Sequence, residues 1–203
     1  MKYLHLLIIC LCVSSNIFSQ TEKHHWMLGL SGNGTFYNEE IQYGELYGLV
    51  NGSVTKINIS GNIGYFFDDR FLAGIRSGIV IDDGHNFTHD YMGWQYNSKY
   101  FGPFVRYYFM NNDRNFNVLV DACYQAGRVT NEEKTGGPAK MATIMAGPEF
   151  FFNSSLGMDF LVGYMYQEET NTDAQLGYHY QRNGVFLSVS LQFHFIKERN
   201  RYR

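Results

Sequence analysis

Residues 185–195 read VFLSVSLQFHF. Val185, Leu187, Val189, Leu191, Phe193 and Phe195 fall on one face, and Phe186, Ser188, Ser190, Gln192 and His194 on the other. A period of two means an extended strand with one apolar and one mostly polar face. Near the end of an exported chain, such a strand suits a barrel whose apolar face meets lipid and whose polar face meets the lumen.

The export signal is at the other end. Lys2 supplies a positive start, Leu6 to Val13 (LLIICLCV) an apolar core, and Ser14, Ser15 and Ser19 small residues for cleavage. Residues 1–19 therefore read as a secretory signal peptide, cut after Ser19 or Gln20, with residues 20–203 forming one domain. Cys10 and Cys12 lie inside the apolar core, so no lipid anchor is expected. They leave with the signal. Cys123 then has no disulfide partner and reads as a small inward-facing side chain. Lys2 leaves too, so 15 basic residues stand against 19 acidic ones, a net charge of −4. That balance argues against a general nucleic-acid binder.

The chain carries 3 prolines, 21 glycines, 17 phenylalanines and 16 tyrosines. Working back from residue 185, seven more stretches alternate in the same way. The expected strands are Trp26–Phe36, Lys56–Phe67, Phe71–Ile81, Lys99–Met110, Phe116–Arg128, Met141–Phe152, Met158–Gln167 and Val185–Phe195. Each is about as long as a tilted strand needs to cross a bilayer, ~9–11 residues. The connections at Asp68–Arg70, Asn111–Asn115 and Asn153–Gly157 are short and rich in turn formers. Those at Tyr37–Thr55, Asp82–Ser98, Val129–Lys140 and Glu168–Gly184 are long. Short turns on one side and long loops on the other predict an all-β, eight-stranded antiparallel up-and-down transmembrane β-barrel, short side periplasmic. Aromatic clusters such as Tyr65-Phe66-Phe67 and Phe150-Phe151-Phe152 recur beside the short turns, as an interfacial girdle would. Pro103 and Pro148 remove a ladder donor, so each is expected at a bulge or bend.

The stretch Gly102–Phe109, GPFVRYYF, followed by a short Asn/Asp turn and another amphipathic strand, resembles the small outer-membrane β-barrel domain family of Gram-negative bacteria. Their architecture is that of OmpA/OmpX-like eight-stranded barrels. The likeness covers roughly residues 24–196. It implies a location in the cell outer membrane, reached through the periplasm, with outer-membrane lipid and lipopolysaccharide as surroundings. It transfers no catalytic residue. The chain departs from the usual ending, because eight residues follow Phe195.

With apolar alternates facing lipid, the other parity faces inward. Met27, Gly29, Ser31 and Asn33 then face the lumen from the first strand, and Lys56, Asn58, Ser60 and Asn62 from the second. Asp159 and Gln167 do so from the seventh. Arg76, Arg106, Asp121 and Glu149 face inward from four consecutive strands, two of each sign. An eight-stranded barrel is just wide enough for side chains to fill. These four charges are therefore expected to pair as a plug, and a charge-lined narrow pore is the alternative.

Site signals are weaker. His24-His25 reads as a solvated segment before the first strand. His85 and His89 are four apart, but in a glycine-containing loop that spacing fixes no metal geometry. His194 and Ser190 share a face without forming a nucleophilic set. No catalytic residue, cofactor or metal is expected. The long loops interleave acids with Tyr43, Tyr47, Tyr91, Trp94, Tyr178 and Tyr180. These six are recognition candidates for an unknown extracellular ligand. Equally, they suit headgroup height, with the acids bridged to anionic lipid by divalent cations. The expected role is non-enzymatic: envelope structure or surface interaction through the loops. A narrow pore or solute channel is the alternative, and a lipid A-modifying enzyme a third class.

Overall fold

Alternation of apolar and polar side chains builds eight strands in the computed structural model, which describes residues 23–42, 49–86, 93–110, 115–130, 137–171 and 178–195. They are β1 (Trp26–Gln42), β2 (Leu49–Asp68), β3 (Phe71–Asn86), β4 (Gly93–Tyr108), β5 (Phe116–Thr130), β6 (Pro138–Asn153), β7 (Leu156–Asn171) and β8 (Tyr178–Phe195). Each pairs antiparallel with its sequence neighbours, and β8 closes on β1. The signal peptide expected at residues 1–19 lies outside the described residues.

The strands run further than alternation alone indicates. Pairing continues to Gln42↔Leu49, His85↔Gly93 and Asn171↔Tyr178, through segments read from sequence as loops. Those segments scatter a few apolar and aromatic residues among polar ones, so the period-two signal fades there. Their backbones still extend an existing ladder. Two connections are as tight as expected: Asp69-Arg70 and Ser154-Ser155 each join a strand pair. The register shifts lie beside them, between Phe66 and Asp68 and between Phe151 and Asn153.

No register shift occurs at the prolines, so of the bulge or bend expected there the bulge is absent. Pairing on the β5 side of β4 lapses between Phe101↔Ala126 and Phe104↔Cys123, then resumes in the same register. On the β7 side of β6 it lapses between Ala146↔Val162 and Glu149↔Asp159. Pro103 and Pro148 keep their other neighbours, Ile75 and Val118. The missing donors thus cost ladder contacts on one side only. The preceding glycine permits the close approach. A Cβ on Gly102 would lie 2.1 Å from the Tyr124 carbonyl oxygen, and one on Gly147 2.1 Å from that of Phe160.

Following partners around the barrel from Trp26 leads through Tyr65, Ala73, Val105, Ala122, Ile144 and Tyr164 to Val185. The direct β8 partner of Trp26 is Phe195, ten residues further on. That offset is the shear of the barrel, and it comes with a strand tilt of about 35–45°. The closing seam is the short one. β1 and β8 pair from Trp26↔Phe195 to Gly32↔Val189 and no further, although β1 runs on to Gln42 and β8 begins at Tyr178.

The outside is apolar. Leu28, Ile59, Ile75, Val105, Ile144 and Val162 are all exposed, and aromatic side chains crowd the short-turn end. Trp26 packs edge-on to Tyr65 at 5.1 Å, Tyr107 to Phe109 at 5.2 Å, and Phe116 lies 5.3 Å from Phe150. Soluble monomers rarely expose contiguous apolar patches beyond a few hundred Å². A belt encircling a closed barrel is therefore a lipid-facing surface; a soluble β-sandwich would turn its apolar face inward. The assigned parity holds on every described strand. Met27, Lys56, Asn62, Arg76, Arg106, Asp121, Glu149, Asp159 and Gln167 are buried in the lumen.

Candidate functional site

Among the described residues the lumen gathers the buried ionisable side chains, and Arg106 organises its lower part, toward the short turns. Arg106 lies on β4 and is 1% exposed. Its Nε donates to Asp121 Oδ2 on β5 at 3.1 Å, and its Nη2 lies 3.0 Å from Asp159 Oδ2 on β7. Nη1 is 3.3 Å from the Tyr108 hydroxyl and 3.9 Å from Glu149 Oε2 on β6. Arg76 on β3 donates two parallel bonds to Asp121, at 2.9 and 2.8 Å. Its Nε reaches Asn62 Oδ1 at 3.0 Å, and its Cζ sits 4.8 Å over the Phe104 ring. This fork geometry is the strong form of a guanidinium–carboxylate contact.

The structure brings Arg76, Arg106, Asp121 and Glu149 together and adds two members. Asp159 accepts from Ser190 Oγ at 3.1 Å and Gln192 Nε2 at 2.9 Å, as well as facing Arg106. His194 Nε2 lies 3.1 Å from Glu149 Oε1. Sequence parity puts both residues inside, His194 toward the short-turn end, but does not show which charges they meet. The register Glu149↔Asp159 sets Asp159 beside Glu149, whose Oε1 in turn meets His194. Below this layer Phe66, Tyr108 and Phe151 close the space, with Phe66 5.7 Å from Tyr108 and Phe151 5.5 Å from His194. Glycine makes room for the charges. A Cβ on Gly157 would lie 2.3 Å from Glu149 Oε1.

A second polar cluster occupies the upper lumen. The Tyr100 hydroxyl donates to Glu169 Oε1 at 2.8 Å, and Ser98 Oγ to the same atom at 3.0 Å. Gln167 Nε2 donates to Tyr100 Oη at 2.7 Å and also to Glu169, while Lys56 Nζ donates to Gln167 Oε1. Sequence reading missed this cluster because Glu169 falls in a segment taken for loop. Between the two layers lies a cavity of about 20 Å³. That volume holds water and nothing larger. Its lining includes Ser31, Asn33, Asn58, Thr143, Phe186 and Ser188. Asn58 Oδ1 and Thr143 Oγ1 are buried there without a hydrogen-bond partner.

The remaining candidates fall elsewhere. Tyr43, Tyr47 and Tyr91 lie outside the described residues. Trp94, Tyr178 and Tyr180 are strand residues rather than loop residues, paired by backbone with Gly84, Asn171 and Glu169. His25 is buried, not solvated, because it continues the inward parity of β1. His24 is exposed, its Nδ1 2.7 Å from the Tyr65 hydroxyl. His85 is on β3, and His89 lies outside the described residues. Among the described residues no three His, Cys, Asp or Glu side chains group to hold a metal. Cys123 is a free thiol in the lower lumen.

No protein-family model matches the chain, and no curated protein matches it in sequence. Solved structures do. Neisserial surface protein A superposes with a TM-score of 0.54 at 11% identity, covering 84% of this chain and 97% of its own. The outer membrane protein OprG from Pseudomonas aeruginosa gives 0.52 at 9%, covering 89% and 100%. The outer membrane protein AlkL, solved in lipid bilayers, gives 0.51 at 14%, covering 90% and 95%. At these identities the likeness establishes the fold: a small eight-stranded barrel of the outer-membrane type. The apolar belt agrees with that membrane setting.

Proposed function

We propose that this is a non-enzymatic outer-membrane barrel whose lumen is filled by its own side chains, serving envelope structure or surface interaction through its long-strand end. The observation that carries the reading is the Arg106 layer, which reaches β5, β6 and β7 from β4 and rests on a floor of aromatic rings. Such a layer leaves no continuous axial path for solute. Catalysis lacks support in the same layer: Ser190 bonds to Asp159 and His194 to Glu149, two separate contacts in a filled interior. The surface role requires the long-strand end to face outward. Epitope tags inserted within residues 43–48 should be labelled on intact cells, and tags within 111–114 should not. Labelling only at 111–114 would invert the orientation and remove the surface reading.

One observation favours a second reading, passage of a small solute. The lumen cavity touches both edges of the β1–β8 seam, at Asn33 and Ser188, just where the ladder stops. Val185 and Leu187 beside it are 69% and 66% exposed, and a Cβ on Gly184 would meet nothing within 4 Å. A route here would be lateral rather than axial. Cross-linking Gly34→Cys to Leu187→Cys would close it. Solute entry into loaded vesicles that this cross-link abolishes would favour passage over the filled-barrel reading.

A further inference from the structure

The outer surface of β4, β5 and β6 carries three cations that the lumen does not use. Lys99 and Arg128 are register partners across the β4–β5 ladder. Lys140 on β6 is diagonal to Arg128, since Ala126↔Lys140 and Arg128↔Pro138 are successive facing pairs on that side. All three are exposed and of the lipid-facing parity. Among the described residues, none of them has an ion pair or a side-chain hydrogen bond. Glu168 faces Lys140 across the β6–β7 ladder without pairing to it. Like charges directly opposite each other in a sheet repel, so this arrangement is unfavourable unless an anion lies between them.

Their height says which anion. One outward step toward the short turns brings Phe101, Ala126 and Ala142, and the next brings Tyr124 and Ile144. Phe101, Tyr124 and Ile144 are among the exposed large apolar side chains of the belt. The cations therefore sit at its upper edge, at the level of lipid headgroups. Ala126 and Ala142 form a shallow strip beneath them, flanked by larger side chains, on which an acyl chain can lie. Three cations offset by one carboxylate leave two net positive charges. That matches a phosphate monoester, with close to two negative charges, better than a diester with one. Arg128 supplies the fork that binds phosphate oxygens in pairs.

We infer that Lys99, Arg128 and Lys140 form a binding site for the phosphomonoester headgroup of a membrane lipid in the leaflet at the long-strand end. The site is independent of the lumen, so it stands or falls apart from the filled-barrel reading.

Native mass spectrometry of the purified protein in detergent tests the site, with phosphatidic acid as the monoester probe. Phosphatidylglycerol of the same acyl chains serves as the diester and inorganic phosphate as the competitor. The wild type should retain one phosphatidic acid under activation that strips phosphatidylglycerol. The variant K99Q/R128Q/K140Q should lower that retention by about tenfold, as expected for loss of several charge-assisted bonds. If the triple variant does not fold, Arg128→Gln alone should lower retention severalfold, while Lys23→Gln at the opposite end should leave it unchanged. Equal retention of both lipids by the wild type would reduce the triad to a diffuse anionic-lipid surface and overturn the proposal. So would unchanged retention by the variants. Binding of inorganic phosphate without lipid would make it a free-phosphate site, which also overturns it.

Discussion

The lower half of the lumen is held by guanidinium–carboxylate pairs, the upper half mostly by hydrogen bonds of hydroxyl and amide groups. In the lower half, two guanidinium groups and three carboxylates from five strands share one layer, sealed by aromatic rings. The surrounding ladder is closed there, since β1 and β8 pair from Trp26 to Gly32. In the upper half, hydrogen bonds among Tyr100, Gln167 and Glu169 bridge β4 and β7, while a water-sized cavity opens beside an unpaired seam. The contrast separates two jobs. The lower half ties strands together by ion pairs. Unpartnered polar atoms occur in both halves, at Glu149, Asp159 and His194 below and at Asn58 and Thr143 above, but only the latter two line the cavity that water can enter.

Breaking the lower layer should have the largest effect. Arg106→Ala leaves Asp159 and Glu149 without their guanidinium and should cost about 3–5 kcal/mol. Reversible unfolding in lipid vesicles measures this, and a cost under about 1 kcal/mol would mean that water already screens the layer. Next comes the lipid face of the sealed seam. Leu191 pairs with Leu30 inside the apolar belt, and Leu191→Arg there should cost about 2–4 kcal/mol if it lies near the bilayer midplane. The same unfolding assay checks it, and tolerance of the charge would argue against the assigned lipid face.

A pair of glycines sharpens the contrast between closed ladder and open seam. An added Cβ at Gly102 meets the Tyr124 carbonyl oxygen, whereas at Gly184 it meets open space. Gly102→Ala should destabilise by about 1–3 kcal/mol through overpacking against backbone. Gly184→Ala should stay within about 0.5 kcal/mol of wild type. Equal costs at the two positions would mean that the seam is as tightly packed as the rest of the wall.

Much of this contrast was legible in residues 185–195. Period-two alternation depends only on backbone geometry, so it fixes which face each side chain takes. That is why Arg76, Arg106, Asp121 and Glu149 could be placed inside before any partner was known. Which inward residues meet across the lumen depends on shear, which alternation does not encode. Asp159 and His194 thus read as inward residues without a role, and the structure puts them in the same layer as Arg106. Glu169 was hidden for another reason. It continues β7 through a polar stretch, TyrGlnGluGluThr at 166–170, whose ladder needs no apolar face. The seam was equally invisible, because where β1 and β8 cease to pair depends on how the closed barrel is sheared.

Single-channel recording in planar bilayers tests the central claim, a lumen closed by the Arg106 layer, most directly. Wild-type protein should give current near the noise. Arg106→Ala, if it still inserts, should open intermittent, unstable channels as the stranded carboxylates draw in water. Steady wild-type channels, with an ion selectivity that shifts when Arg106 is neutralised and little change in stability, would contradict the account and make the lumen a pore.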